Sequence, residues 1–107
     1  MQAKRIRNDG VLLTGHKAPA VEILFDPERE WGIHEEPLAA GRRGYPVEVL
    51  LNGIRFRSVI VSRMRRLFVL VDEGMARRAG AAAGDTVRLT VWPDAAARSR
   101  PARGEAG

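Results

Sequence analysis

Apolar and polar positions alternate most regularly over residues 45–93, YPVEVLLNGIRFRSVIVSRMRRLFVLVDEGMARRAGAAAGDTVRLTVWP. Two apolar-rich runs meet there at Asn52-Gly53, a pair that tolerates the positive φ both central residues of a type I′ hairpin require. A two-residue turn sets the register. Leu51 then faces Ile54, Val49 faces Phe56 and Val47 faces Ser58 on the core side, while Leu50 faces Arg55 and Glu48 faces Arg57 toward solvent. Glu48 and Arg57 are expected to pair, at about a few tenths of a kcal/mol. Residues 62–66 read as a basic turn and residues 67–71 as a buried strand. Asp72 starts a helix through Ala79 that Gly80 ends in the left-handed conformation. Gly74 costs that helix about 1 kcal/mol against Ala, so packing of Met75, Ala76 and Ala79 must hold it. After a Gly84-Asp85 turn, Val87, Leu89 and Val91 point inward and Thr86, Arg88, Thr90 and Trp92 outward, until Pro93 stops the pairing.

The upstream half is less regular. Residues 5–13 carry Ile6, Val11 and Leu13 around Asn8-Asp9-Gly10, which suits either one strand with a bulge at Gly10 or an arm followed by a short strand. Residues 14–19 are a turn containing His16. Residues 20–25 are a strand with Val21, Ile23 and Phe25 on one face and Glu22 and Leu24 on the other. Asp26-Pro27 starts a helix, Asp as N-cap and Pro at the first position, which Trp31-Gly32 close. Residues 33–44 have no period and read as a loop. A strand ending in Asp, then a helix ending in Gly, occurs at residues 21–32 and again at 67–80. This weak internal repeat predicts a mainly β chain: six strands in one closed or pseudo-barrel, with two short capping helices at about residues 26–31 and 72–79. The barrel takes residues 1–94 as one domain, and residues 95–107, small and charged without apolar period, form a disordered tail.

The 107 residues hold no long apolar run and no signal-like start, so a cytoplasmic location is expected. The absence of cysteine excludes disulfides, thiol nucleophiles and thiolate metal sites. A formal charge of +5 rests on arginine, with Lys4 and Lys17 the only lysines. Such a balance suits either a solvated arginine surface or an anion-binding one. The constellation that could serve is Arg55 and Arg57 on the outward hairpin face, Arg63, Arg65 and Arg66 in the basic turn, and Arg88 on the last strand. If the last strand lies near the hairpin, these make one surface for phosphates, salt-dependent and with little sequence preference. It lacks the interleaved aromatics of a single-strand binder.

The remaining inventory points away from catalysis. His34-Glu35-Glu36 lacks the spacing that aims ligands at one ion, and His16 is alone. Ser58, Ser62 and Ser99 lie in no nucleophile elbow, and Ser58 reads as a small core-facing residue. Asp26 and Asp72 are accounted for as helix caps and Asp85 as a turn residue. The glycines form no phosphate cradle. No catalytic residue, metal site or cofactor is expected. Trp31 plugs one barrel end, and Trp92 is either a contact residue or lies under the N-terminal arm.

The runs ILFDPEREWG, PVEVLLNGIRFRSVIV and FVLVDEGMARRAGAAAGDTVRLTVWPD, in that order, resemble the family called domain of unknown function 1905 over roughly residues 11–95. The resemblance implies a single-chain six-stranded barrel of the double-split type, topologically similar to the swapped-hairpin AbrB and MazE regulators, and implies no activity or catalytic residues. The chain departs from the family at residues 62–66, where Arg63, Arg65 and Arg66 replace a Gly-rich turn, and at Gly74. The function expected is a non-catalytic, monomeric module that binds a protein partner or a small ligand. The alternative is a nucleic-acid-binding or regulatory protein using the arginine face.

Overall fold

The protein is described from a computed structural model, which places residues 4–14 and 18–95. Residues 1–3, the turn residues 15–17 with His16, and the tail from residue 96 onward lie outside the described residues. The chain runs β1 (Ile6–Arg7), β2 (Gly10–Val11), β3 (Ala20–Ile23), α1 (Pro27–Trp31), β4 (Glu36–Pro37), β5 (Arg43–Leu51), β6 (Ile54–Arg63), β7 (Arg66–Leu70), α2 (Glu73–Arg78), β8 (Thr86–Val87) and β9 (Leu89–Pro93). The fold is mainly β with two short helices, and the path β1-β9-β5-β6-β7-β3 curls into a half-barrel of six strands.

The predicted hairpin is present with its full register, from Leu51 opposite Ile54 to Tyr45 opposite Ile60, around Asn52 at φ 47° and Gly53 at φ 88°. Val47, Val49 and Leu51 are buried with Val87, Leu89 and Val91, the inward positions that period-two alternation predicts. Both helix caps are also as read: the Asp26 carboxylate accepts from the Glu28 amide, and that of Asp72 accepts from Gly74 and Met75. Gly74 sits where an added Cβ would lie 2.9 Å from the capping Asp72 oxygen, which gives its place in the first helical turn a steric reason.

Three expectations change. The expected loop at residues 33–44 contains a short strand, β4, paired with β5 (Glu36 opposite Gly44), and a 3₁₀ turn at Ala39–Gly41. Gly44 permits this close layering, since a Cβ there would meet the Ile60 carbonyl oxygen, and Leu38 and Val61 stand next nearest. The basic turn narrows to Met64-Arg65, because Ser62 and Arg63 continue β6 and Arg66 begins β7. Both turn residues adopt positive φ, 52° and 68°, without a glycine, an arrangement that costs side-chain-bearing residues roughly 1–2 kcal/mol each. Finally, the last strand breaks at Arg88 into β8 and β9.

The N-terminal segment is one strand interrupted at Asn8-Asp9: β1 pairs with β9 and β2 with β8. Leu13 and Ala20 exchange backbone hydrogen bonds of 2.8 and 2.9 Å, joining this segment to β3. Between them the buried Asn8 carboxamide donates to the Glu22 carbonyl at 2.8 Å and accepts from the Leu24 amide at 2.9 Å. One side chain thus stands in for the missing stretch of ladder between the two ends of the sheet path. The two strands of the internal repeat, β3 and β7, pair with each other from Ala20 opposite Leu70 to Ile23 opposite Leu67.

Candidate functional site

The six arginines singled out from the sequence fall into two groups rather than one surface. Arg55 and Arg57 lie on the outer face of β6 and Arg88 at the β8–β9 break. Arg63, Arg65 and Arg66 surround the β6–β7 turn. Six residues of extended strand separate Arg57 from Arg63, roughly 20 Å. Alternation places Arg55, Arg57 and Arg88 outside and the turn reading adds Arg63, Arg65 and Arg66, and neither carries that length.

In the first group the charges are largely occupied. Arg55 donates to Glu48 Oε1 at 2.8 Å and lies 5.3 Å from the Trp92 ring, while Arg57 stands 3.8 Å from the Asp94 carboxylate. The expected Glu48–Arg57 pair is therefore replaced by a diagonal one. The twist of the strands brings Arg55 across Glu48, whose other neighbour in the sheet is Trp92, and the guanidinium gains the ring as well as the carboxylate. Arg5 covers the Trp92 ring at 3.9 Å, so this outward-phase tryptophan is buried under the N-terminal segment. Arg7 pairs with Asp9 at 2.9 Å. That bond, with the Leu89 amide donating to the same carboxylate, holds Asp9 below the usual carboxylate range.

The second group borders a groove of about 470 Å³ on the outer face of β6, β7 and β3. Leu13, Ala18 and Ala20 line one end, and Phe68 lies between them and Met64, Arg63 and Arg66 at the other. Leu13 and Met64 are 42% and 94% exposed, apolar area that the fold leaves in water. Arg63 and Arg66 are Cα partners across the ladder. Arg66 approaches Glu22 at 3.7 Å, and no carboxylate among the described residues forms an ion pair with Arg63. No signal in the sequence groups these residues, since Leu13, Ala20, Phe68 and Arg63 come from four separate segments.

A third cluster sits at the start of α1. The buried Tyr45 hydroxyl donates to Glu28 Oε2 at 2.7 Å, and His34 Nδ1 is 3.6 Å from the other Glu28 oxygen. Burial first, and the Glu28 carboxylate second, push the Tyr45 phenol above the usual tyrosine range. With the folded-state value raised, its stabilisation is complete below the ordinary value of 10.0 and is lost as pH rises beyond it. Tyr45→Phe should therefore cost about 1 kcal/mol at neutral pH and flatten the decline of stability above the ordinary tyrosine pKa, as urea unfolding at a series of alkaline pH values would show. Trp31 packs edge-on against Phe25 at 5.1 Å and donates from Nε1 to the Lys4 carbonyl, which places it with the residues packed against the core.

Among the described residues no group of three or more His, Asp or Glu side chains is placed to hold a metal ion, and no helix is long and apolar enough to cross a membrane. Ser58 donates its hydroxyl to the Leu70 carbonyl, and the Asp85 carboxylate accepts from the Ala82 amide. The sequence model of the family described as Domain of unknown function (DUF1905) matches residues 11–91. No curated protein matches the chain.

Proposed function

The chain belongs to the DUF1905 family, and on that premise we propose that it is a non-catalytic binding module whose ligand, an organic anion with an apolar body, lies in the groove of β6, β7 and β3. The observation that carries this reading is the pairing of exposed Leu13 and Met64 with two guanidiniums at one end of a single concave surface. A groove of this volume, mostly apolar with few polar groups, has the size and character of small-ligand sites. The carboxylates of Asp26, Asp72, Asp85 and Glu48 are engaged in caps, a turn and an ion pair, which supports binding rather than turnover. Joining of both sheet ends within one chain supports a monomer, and the pairing of β3 with β7, the two strands of the internal repeat, supports a double-split arrangement like that of the AbrB and MazE barrels.

The test uses 8-anilinonaphthalene-1-sulfonate, an aromatic monoanion. One equivalent is expected to bind with a fluorescence increase and to shift the amide resonances of Ala20 and Phe68. Arg63→Glu combined with Arg66→Glu should weaken binding at least about tenfold, the loss of roughly 1.4 kcal/mol of charge-assisted contact. Arg55→Glu combined with Arg57→Glu should leave it unchanged; the reverse pattern would sink the reading. A second reading, nucleic-acid binding, draws on the clustering of Arg5 and Arg55 over Trp92 with Arg57 nearby. Anisotropy of labelled duplex and single-stranded DNA would favour it if binding persisted at physiological salt and vanished in the Arg55/Arg57 reversal.

A further inference from the structure

The groove also limits what its ligand can be, and the inference rests on the reading just proposed. We infer that the site takes a single-chain alkyl carboxylate, its head between Arg63 and Arg66 and its tail laid over Phe68 toward Leu13 and Ala20.

The floor excludes a peptide. It is the face of a sheet whose backbone groups are spent in the β6–β7 and β7–β3 ladders. Among the described residues of the lining, polar side-chain groups are confined to Thr14 and the two guanidiniums. An extended peptide lying there would bury its own amides without partners, a penalty that a hydrocarbon chain does not incur.

Charge selects the head. Arg66 already shares the Glu22 carboxylate at 3.7 Å, so among the described residues the two guanidiniums and that one acid leave a single positive charge. A monoanionic carboxylate balances it, and the fork of a guanidinium matches a carboxylate's two oxygens. A phosphate dianion would leave the site negative beside Glu22. Length selects the tail. Arg66 to Leu70, the span of β7, is four residues of strand, about 13 Å. A zigzag of C–C bonds of about 1.5 Å covers that distance with about ten carbons.

The probes are hexanoate, octanoate, decanoate and tetradecanoate, each held below its micellar concentration and titrated into the full chain by calorimetry and amide-shift mapping. Affinity is expected to rise about two- to fourfold per added methylene up to decanoate, then level off. Decanol should bind at least tenfold more weakly than decanoate, and Arg63→Gln with Arg66→Gln should erase that difference while leaving decanol unaffected. Equal binding of decanol and decanoate, a steady gain through tetradecanoate, or tighter binding of decyl phosphate would overturn the assignment. Binding of the naphthalene sulfonate in the groove without decanoate would overturn the alkyl carboxylate and leave the broader reading standing. Failure of both probes would remove both.

Discussion

Asn8→Leu is expected to destabilise the protein by about 3 kcal/mol, on the order of 15 °C in melting temperature for a chain of this size. Leucine has nearly the shape of asparagine, so the loss is not one of packing. It strands the Glu22 carbonyl and the Leu24 amide, which the carboxamide now satisfies at 2.8 and 2.9 Å in a buried position. Each stranded buried group costs about 1–3 kcal/mol. Asn8→Asp separates this account from a general sensitivity of the position. An ionised carboxylate can still accept from Leu24, but it turns an oxygen toward the Glu22 carbonyl and has nothing to donate. Its folded-state pKa should therefore be raised, so Asn8→Asp should lie furthest below the parent at neutral pH and recover toward it as the acid is protonated. Urea unfolding at several pH values reads both. An Asn8→Leu variant within about 0.5 kcal/mol of the parent would mean that the Leu13–Ala20 bonds hold the seam unaided.

Asn52→Ala is expected to cost about 2 kcal/mol. The side chain does more than permit the hairpin turn: its Oδ1 accepts from the Arg88 amide at 2.8 Å and its Nδ2 donates to the Ala79 carbonyl at 3.3 Å. The hairpin tip is thereby tied to the break between β8 and β9 and to the end of α2. Alanine loses both bonds and is also left at a positive φ, where Asn stands at 47°. Asn52→Gly removes the bonds and keeps the conformational freedom, so it should cost about half as much. Equal losses in the two variants would show that backbone conformation contributes nothing. No loss in Asn52→Gly would show the same of the tie to Arg88 and Ala79.

Much of this fold is legible in the chain because local rules agree with one another. Asn52-Gly53 sets a register that runs to Tyr45 and Ile60, and Asp26 and Asp72 cap helices that Gly32 and Gly80 terminate. Where side chains act across the sheet, the sequence is silent. Asn8 reads as a turn or bulge residue, since periodicity has no sign for a carboxamide that bonds backbone 14 and 16 residues away. Glu48 chooses Arg55 over Arg57 because of twist and the Trp92 ring, neither of which register alone conveys. Face and turn assignments group the six arginines without conveying the distance along β6. The groove was invisible for a related reason: its floor and walls are surface positions of separate strands, each unremarkable where it stands.

The pairing of β1 with β9 also orders events in time. The Asp9 side chain and the Leu89 amide that it holds are 80 residues apart, so β1 waits for a strand synthesised some 80 residues later. The β5–β6–β7 meander needs only neighbouring residues and closes short loops, whereas the β1–β9 contact carries the entropy of the longest loop in the molecule. On the ribosome the meander can form while β9 is still inside the exit tunnel. Until β9 emerges, β5 lacks the strand that pairs with it from Val47 to Leu51, and the nascent chain presents an open edge to whatever is nearby.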